Sequence, residues 1–271
     1  MTIKSSMKFS AEKALDEGLL GLVLGERNVQ KTIVAEYHDD FDRIMSEGEV
    51  DRPWQSFELT QRENVVEWIE EPAKIAKIQP SLRDFRQIVR NQSRKQLGTP
   101  LKILDVGCYG GYVFDYLKRY AFPNGEVFEY TGVDIDPNVV KAASYVHSDE
   151  PNARFLEADL YALDQLFGDN SFDIVLCSRV LIHIPRFQDA VAQLYKVSKS
   201  AVVTILVVSN TPILEKIHRK NLDNGVEIDY FFRKYSESEL VEVAESLSAD
   251  YRNIRGPSSY STFVFYKEDV D

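Results

Sequence analysis

The sequence predicts an α/β fold: a doubly wound, mostly parallel sheet that ends in an antiparallel hairpin and is preceded by an N-terminal helical cap. From residue 101 onward, short apolar runs alternate with helical stretches, which is typical of a parallel sheet covered by helices. The final runs, "ADYRNIRG" and "YSTFVFYKE", indicate two strands joined by a turn at Gly256 and Pro257. Helical signals dominate the first part of the chain. We therefore expect a helical cap or lid at 1–98 and a second domain at 99–271.

Helix signals in the first 98 residues predict the cap. Thr60 and Glu63 in "TQRENVVEWIEE" have capping-box spacing, so that a hydroxyl and a carboxylate can satisfy free backbone amides at a helix start. The segment "IQPSLRDFRQIVRNQSRKQLGTP" predicts another helix, which ends near Gly98 and Pro100. There the chain turns into the first predicted strand of the second domain.

Strand and helix signals alternate through the second domain. Asp136 is a good start for a helix because aspartate caps free amides and Pro137 fits the first turn. Ser236 and Glu239 form a second capping box before the terminal hairpin. The predicted strands are "LKILDVG", "YTGVDI", "ARFLEAD", "FDIVLCS" and "SAVVTILVVS", and helices are expected to begin near Gly111, Pro137, Leu160 and Arg186.

Composition limits the function classes. The 271 residues include 44% hydrophobic residues, enough to build a core. Lys and Arg total 32 against 43 Asp and Glu, so the net charge of −11 would repel a phosphate backbone. The sequence therefore predicts no nucleic-acid partner.

Cysteine content and hydropathy suggest a location. Only two cysteines occur, Cys108 and Cys177, so neither a disulfide framework nor a Cys-based zinc site can be assembled. The apolar patch near the N-terminus is shorter than the roughly 20 residues that a membrane span needs. We expect a cytoplasmic protein with no membrane partner, and leave homo-oligomerisation open.

A glycine-rich turn follows the first predicted strand in "KILDVGCYGGYVFDYL". A dinucleotide fingerprint fails here because Tyr109 occupies the second glycine position and residue 112 is not glycine. A P-loop also fails, since no Gly-Lys-Ser/Thr follows. The turn is therefore not built to cradle phosphate.

"LDVGCYGG" resembles the first motif of class I S-adenosylmethionine-dependent methyltransferases of the small-molecule branch, which have a Rossmann-like fold. Asp105, Gly107 and Gly111 match the motif, and Tyr109 stands in place of its middle glycine. The resemblance covers about residues 101–208. It implies S-adenosyl-L-methionine as the cofactor and an EC 2.1.1 transferase activity.

Later motifs extend the resemblance. "YTGVDIDPNVVKAAS" is similar to the second motif, which implies that Asp134 binds the ribose hydroxyls and that Ile135 packs on the adenine. "FLEADLYAL" resembles the third, in which Asp159 would accept from the adenine amino group beside Leu160. The residues expected to bind the cofactor are Asp105, Gly107, Cys108, Tyr109, Gly111, Asp134, Ile135, Asp159, Leu160 and Ser178.

His183, which follows the fourth predicted strand, is the candidate catalytic residue. Methyl transfer is an in-line displacement, so the protein mainly has to position the acceptor, and a hydroxyl acceptor also benefits from a base. A His at this place can instead pack or bond locally, and both interpretations stay open. Tyr37 and His38 are more distant candidates for a base.

The expected acceptor is an oxygen or nitrogen of a small molecule, such as a sugar or natural product. Specificity is expected in the N-terminal helices and in the segment "PILEKIHRKNLDNGVEIDYFFRKYS". A non-catalytic module that binds the same cofactor is the alternative, and a nicotinamide-dependent oxidoreductase is disfavoured by the glycine pattern.

Other polar groups have plainer interpretations. Within that segment, the basic group around His218 is expected to be a solvated helix end, with anionic-substrate contact as the alternative. His147 is expected in a solvated loop, and the cysteines in the core. "AEYHDDFDRI" matches no metal-ligand spacing, so no metal is predicted. The basic group comprises Lys216, His218, Arg219 and Lys220.

Overall fold

The computed structural model describes residues 27–36, 41–47, 80–96, 98–221, 227–255 and 260–267. Ten strands and seven α-helices lie in these ranges. The strands are β1 Arg27–Glu36, β2 Leu101–Val106, β3 Phe128–Asp134, β4 Ala153–Glu157, β5 Phe172–Ser178, β6 Ser198–Ser209, β7 Ile213–Asn221, β8 Glu227–Ser236, β9 Asp250–Arg255 and β10 Tyr260–Tyr266. The helices are α1 Phe41–Glu47, α2 Pro80–Lys95, α3 Tyr112–Tyr120, α4 Pro137–Val146, α5 Leu163–Phe167, α6 Phe187–Val197 and α7 Glu237–Ser246, with 3₁₀ turns at Leu160–Ala162 and Leu181–His183.

Five parallel strands in the order β4-β3-β2-β5-β6 form the body of the sheet. These are the five strands predicted from apolar runs. The inner positions of β2, β5 and β6 are almost wholly buried, as expected for a sheet covered on both faces. The predicted α/β fold is confirmed. Because all five strands run the same way, their carboxyl ends meet at one edge.

The terminal hairpin is also confirmed. Strand β10 pairs antiparallel with both β6 and β9. Ser236 and Glu239 form the predicted capping box at the start of α7, with both reciprocal hydrogen bonds present. Asp136 caps α4 through Asn138 N, with Pro137 in the first turn, as predicted. The other predicted capping box, Thr60 with Glu63, lies outside the described residues, as does the turn at 256–259.

The N-terminal region is not wholly helical, which corrects one prediction. Residues Arg27–Glu36 form β1, whose run of Thr32, Ile33 and Val34 favours a strand, and β1 pairs antiparallel with β7. Helix α2 lies where the sequence predicted it and buries Leu82, Phe85 and Val89 against the main core. The domain boundary at 98/99 stays a prediction.

A second correction concerns the segment after β6. The expected helix end at Lys216 to Lys220 is instead strand β7, which pairs antiparallel with β8. Strand β8 joins the main sheet only at the carboxyl end of β6, where Val208 pairs with Tyr235. The antiparallel strands β1, β7 and β8 therefore extend the sheet beyond the edge where the parallel strands end.

Arg233 connects α1, β8 and α7. Its side chain is 3% exposed and donates to Asp42 Oδ1 at 3.0 Å and Glu239 Oε1 at 2.9 Å. Helix α1 also packs through Phe41 onto Phe231. Within the described residues, no helix is both long enough and apolar enough to cross a membrane.

Candidate active site

The glycine-rich turn lies between the carboxyl ends of β2 and β3. Gly107 and Cys108 donate their amides to Val133 O at 2.8 and 3.0 Å, which ties the turn to β3. Gly107 has φ 74°, and a Cβ built on it would lie 2.1 Å from Val180 Cγ2. Only glycine fits there, because Val180 of the segment after β5 packs directly over it.

Tyr109 occupies the middle of the turn in a left-handed conformation, with φ 49°. Such a backbone costs a non-glycine residue roughly 1–2 kcal/mol. Its amide donates to Asp134 Oδ2 at 3.0 Å. Burial, followed by the nearby Asp134 charge, raises the pKa of the half-buried Tyr109 phenol. The turn therefore accepts a tyrosine at the expense of backbone strain, and Asp134 stabilises it.

Asp134 ends β3 and is partly buried at the sheet edge. Its second oxygen, Oδ1, accepts from Asp136 N at 3.2 Å. Burial raises the pKa of Asp134, while the amides of Asp136 and Tyr109 act in the opposite direction. The next residue, Ile135, is 44% exposed. A carboxylate beside an exposed apolar side chain suits a ligand with hydroxyl groups and a flat apolar ring.

The ends of β4 and β5 add further predicted residues. Asp159 is exposed and caps the 3₁₀ turn by accepting from Tyr161 N at 2.9 Å, and Leu160 next to it is buried. Ser178 ends β5, and its Oγ is shielded from solvent without a hydrogen-bond partner among the described residues. These residues continue the edge started by the glycine turn and Asp134.

Asp105 precedes the turn and Cys108 belongs to it, and both residues are buried. Asp105 is 1% exposed and accepts from Tyr130 Oη at 2.6 Å. Burial raises the pKa of Asp105 to about 7, against the lowering effect of the Tyr130 hydrogen bond. Cys108 is fully buried, and a Cβ on Gly132 would lie 2.9 Å from its Sγ. Both cysteines are core residues, as expected, and burial raises the pKa of each thiol.

His183 closes the 3₁₀ turn after β5. Its Nδ1 lies 2.9 Å from Phe231 O, and its ring packs edge-on against Tyr230 and Phe232. Because a carbonyl can only accept, Nδ1 carries the proton, and in the neutral ring Nε2 holds the lone pair. The His183 amide donates to Val180 O at 2.9 Å. The ring is therefore oriented by β8 and linked through Val180 to the glycine turn.

His147 is buried, which corrects the expectation of a solvated loop. It is 6% exposed, its Nε2 lies 3.3 Å from Gly110 O, and its ring stacks on Phe155. A Cβ on Gly111 would lie 2.7 Å from His147 Nε2. The C-terminal end of α4 thus packs behind the glycine turn and supports it.

The basic group of β7 is paired on the hairpin. His218 Nδ1 lies 2.7 Å from Asp229 Oδ1, and Lys216 Nζ lies 3.1 Å from Asp229 Oδ2. Lys220 pairs with Glu227. These cross-strand contacts account for Lys216, His218 and Lys220 without an anionic substrate, and the Arg219 side chain lies outside the described part of the structure.

No metal-binding group of three or more His, Cys, Asp or Glu side chains is found in the described part of the chain. The segment with Tyr37, His38, Asp39 and Asp40 lies outside it. Sequence reasoning missed three residues of the site: Tyr130, His147 and Arg179. Arg179 has φ 63°, and no sequence signal marks a left-handed arginine.

Known proteins resemble both the sequence and the fold. Residues 104–206 match the sequence model of the family described as "Methyltransferase domain". The chain is 27% identical over 186 residues to "Ubiquinone biosynthesis O-methyltransferase" of Rickettsia bellii, covering 63% of this chain and 72% of that protein. It is 27% identical over 130 residues to "Demethylmenaquinone methyltransferase" of Staphylococcus aureus, covering 47% of this chain and 52% of that one.

Among solved structures, magnesium protoporphyrin IX methyltransferase from Synechocystis has a similar fold. The TM-score is 0.52 at 14% identity, with 88% of this chain and all of that chain covered. At this identity the similarity concerns the fold alone. It agrees with the Rossmann-like arrangement of the parallel strands.

Proposed function

We propose that this chain, which contains a methyltransferase domain of the class I S-adenosylmethionine-dependent family, methylates a hydroxyl oxygen of a small-molecule acceptor. The family, the enzyme class and the cofactor are those predicted from the sequence. The choice of oxygen is supported by the R. bellii relative, which is named as an O-methyltransferase. A sugar or natural product with a free hydroxyl remains the acceptor class that we propose.

The residues at the sheet edge fit the cofactor. Asp134 presents a carboxylate suited to the two ribose hydroxyls, and the exposed Ile135 offers an apolar surface for the adenine. Because Gly107 has no side chain, Val180 can pack directly against the backbone of the turn. S-adenosylmethionine supplies an electrophilic methyl group when bound. The protein's part is to hold the acceptor oxygen in line with that group.

The orientation of His183 carries the proposal of an oxygen acceptor. Phe231 O fixes the tautomer, so Nε2 is the atom able to take a proton from a hydroxyl. An amine acceptor would need only to arrive unprotonated. A positioned general base typically contributes about 10²–10⁴ in rate, which gives His183 a measurable role.

We propose that the antiparallel strands β7 and β8, with α1, cover the acceptor. They lie beyond the carboxyl end of β6, and β8 supplies the carbonyl that orients His183. Phe41 and Met45 of α1 pack on Leu214 and Phe231 of this hairpin. We infer that acceptor specificity resides in the part of this layer around Phe41, Leu214 and Phe231, and not at the His218–Asp229 pair further along the hairpin.

The test compares His183→Gln with His218→Gln. Purified protein is incubated with S-adenosylmethionine and a panel of small hydroxyl acceptors, and S-adenosylhomocysteine and methylated product are measured. His183→Gln should lower kcat by about 10²–10⁴ and leave cofactor affinity unchanged. His218→Gln is the control, because His218 lies on the surface hairpin with Asp229.

An unchanged kcat in His183→Gln would remove His183 from the mechanism. Cofactor binding with no methylated product across the panel would favour the non-catalytic alternative. The two results are distinct, since the first requires turnover and the second requires its absence.

A further inference from the structure

Arg179 directly follows β5 and has an unusual backbone. Its φ is 63°, and its amide donates to Ile205 O at 2.8 Å, which holds it in the left-handed region. Strained residues of this kind persist where the surrounding structure imposes them, and they concentrate at sites that bind ligands. Arg179 lies at the carboxyl edge of the sheet, between Ser178 and Val180, which packs on Gly107. Its strain is therefore located at the candidate active site.

The guanidinium of Arg179 is fixed but incompletely bonded. Its Cζ lies 4.1 Å from the centroid of the Tyr260 ring. Stacking uses the flat face of the group and leaves its in-plane N–H donors for other partners. Nε and Nη1 are shielded from solvent and have no hydrogen-bond partner among the described residues. Arg179 as a whole is only partly buried.

Two other arginines, Arg233 and Arg186, have carboxylate partners. Arg233 is buried and bonds two carboxylates, those of Asp42 and Glu239. Arg186 also has a left-handed backbone and stacks on a tyrosine, but its side chain is 54% exposed and pairs with Asp189 at 3.8 Å. Within the described residues, no carboxylate forms a salt bridge with Arg179. A partly desolvated guanidinium without an anion is costly, so the structure favours an anion from outside the protein.

We propose that Arg179 binds a carboxylate group of the acceptor, which makes the substrate an acidic hydroxy compound. This inference rests on the proposed function and narrows its acceptor class. The chain carries a net charge of −11, so an acidic acceptor would be repelled by the protein as a whole. A dedicated cation at the site offsets that repulsion locally. The neighbouring Ser178 Oγ also has no hydrogen-bond partner among the described residues.

The test uses a pair of compounds of similar shape, one with a carboxylate and the other with an uncharged amide in its place. Protein saturated with S-adenosylhomocysteine is titrated calorimetrically with 3,4-dihydroxybenzoate and with the uncharged 3,4-dihydroxybenzamide. The acid should bind wild-type protein about tenfold or more tightly than the amide, as expected for a hydrogen bond to a charged group. Arg179→Gln should abolish the preference. Arg186→Gln, which changes an arginine with the same backbone and stacking, should retain it.

Equal affinity for the two compounds in the wild-type protein, or no binding of either, would overturn this inference while leaving cofactor binding intact. Failure of S-adenosylhomocysteine to bind would remove the proposed function, and this inference with it. The comparison of acid with amide in the wild-type protein does not depend on whether Arg179→Gln folds. Unchanged affinity of Arg179→Gln for S-adenosylhomocysteine will show that the cofactor site of this variant is formed.

Discussion

The buried carboxyl of Asp105 predicts a specific dependence of stability on pH. Asp105 is 1% exposed beneath the glycine turn, and burial raises its pKa to about 7. An aspartate in the unfolded chain titrates near 3.9. Between these values the folded protein holds a proton that the unfolded chain has released. The stability contributed by the neutral Asp105 is therefore fully present below about pH 4 and is lost as the pH rises toward 7.

The size of the effect follows from the two pKa values. A difference of about three units, at about 1.4 kcal/mol per unit, amounts to about 4 kcal/mol over this pH window. Asp105→Asn keeps the shape and an acceptor for Tyr130 Oη, but it cannot ionise. The variant should therefore gain stability relative to the wild type as the pH rises from about 4 to 7. The difference should then stay level at higher pH.

Urea unfolding followed by circular dichroism, repeated between about pH 4 and pH 8, measures this difference directly. Titrations shared by the two proteins cancel in the comparison. Tyr130→Phe provides a second check, because its hydroxyl lowers the pKa of Asp105. Without that hydroxyl, the loss of stability should continue to higher pH. A difference between Asp105→Asn and wild type that does not change with pH would refute the reasoning.

Two further predictions concern the elements around the turn. Gly107→Ala should destabilise the protein by about 1–3 kcal/mol, because its Cβ would lie 2.1 Å from Val180 Cγ2. Adding Val180→Ala to this variant should restore part of the lost stability. Thermal unfolding of the two single variants and the double variant tests this, and fully additive losses would contradict it. Tyr235→Phe removes the buried 2.6 Å hydrogen bond from Tyr235 Oη to Leu181 O. The loss should lower the free energy of unfolding by about 1–3 kcal/mol, which urea unfolding measures. An unchanged urea midpoint would show that the bond contributes nothing to stability.

The sequence predicts the parallel body and the local caps because their signals are local. Strands β5 and β6 contain continuous apolar runs, "IVLC" and "ILVV". Asp136 before Pro137 satisfies the start of α4 whatever the surroundings. Strand β7 was missed because Leu214 and Ile217 have helical spacing. In a strand the buried residues alternate, and Glu215 interrupts that apolar alternation in the sequence. It is nevertheless buried, because it forms an ion pair with Lys234 on β8. A cross-strand pair of this kind cannot be seen in one segment alone.

The same contrast holds for the candidate site. Asp134, Ile135 and Gly107 follow strands or define a turn, so their motif is readable in the sequence. The burial of His147 depends on the end of α4 packing against Phe155, and the state of Arg179 depends on a ring of β10 that is 81 residues away in the chain. Those arrangements are decided by packing between distant elements. The structure was needed to find them.

Calorimetric titration of the protein with S-adenosylmethionine and S-adenosylhomocysteine tests the central claim most directly. Wild-type protein should bind both, and NAD should not bind. Asp134→Asn should weaken the affinity for each by at least about tenfold, since it replaces the carboxylate proposed to bind the ribose. Asp136→Asn is the control, because asparagine caps a helix as well as aspartate while removing the same charge two residues away. Absence of binding to the wild-type protein, or equal binding to Asp134→Asn, would contradict the account.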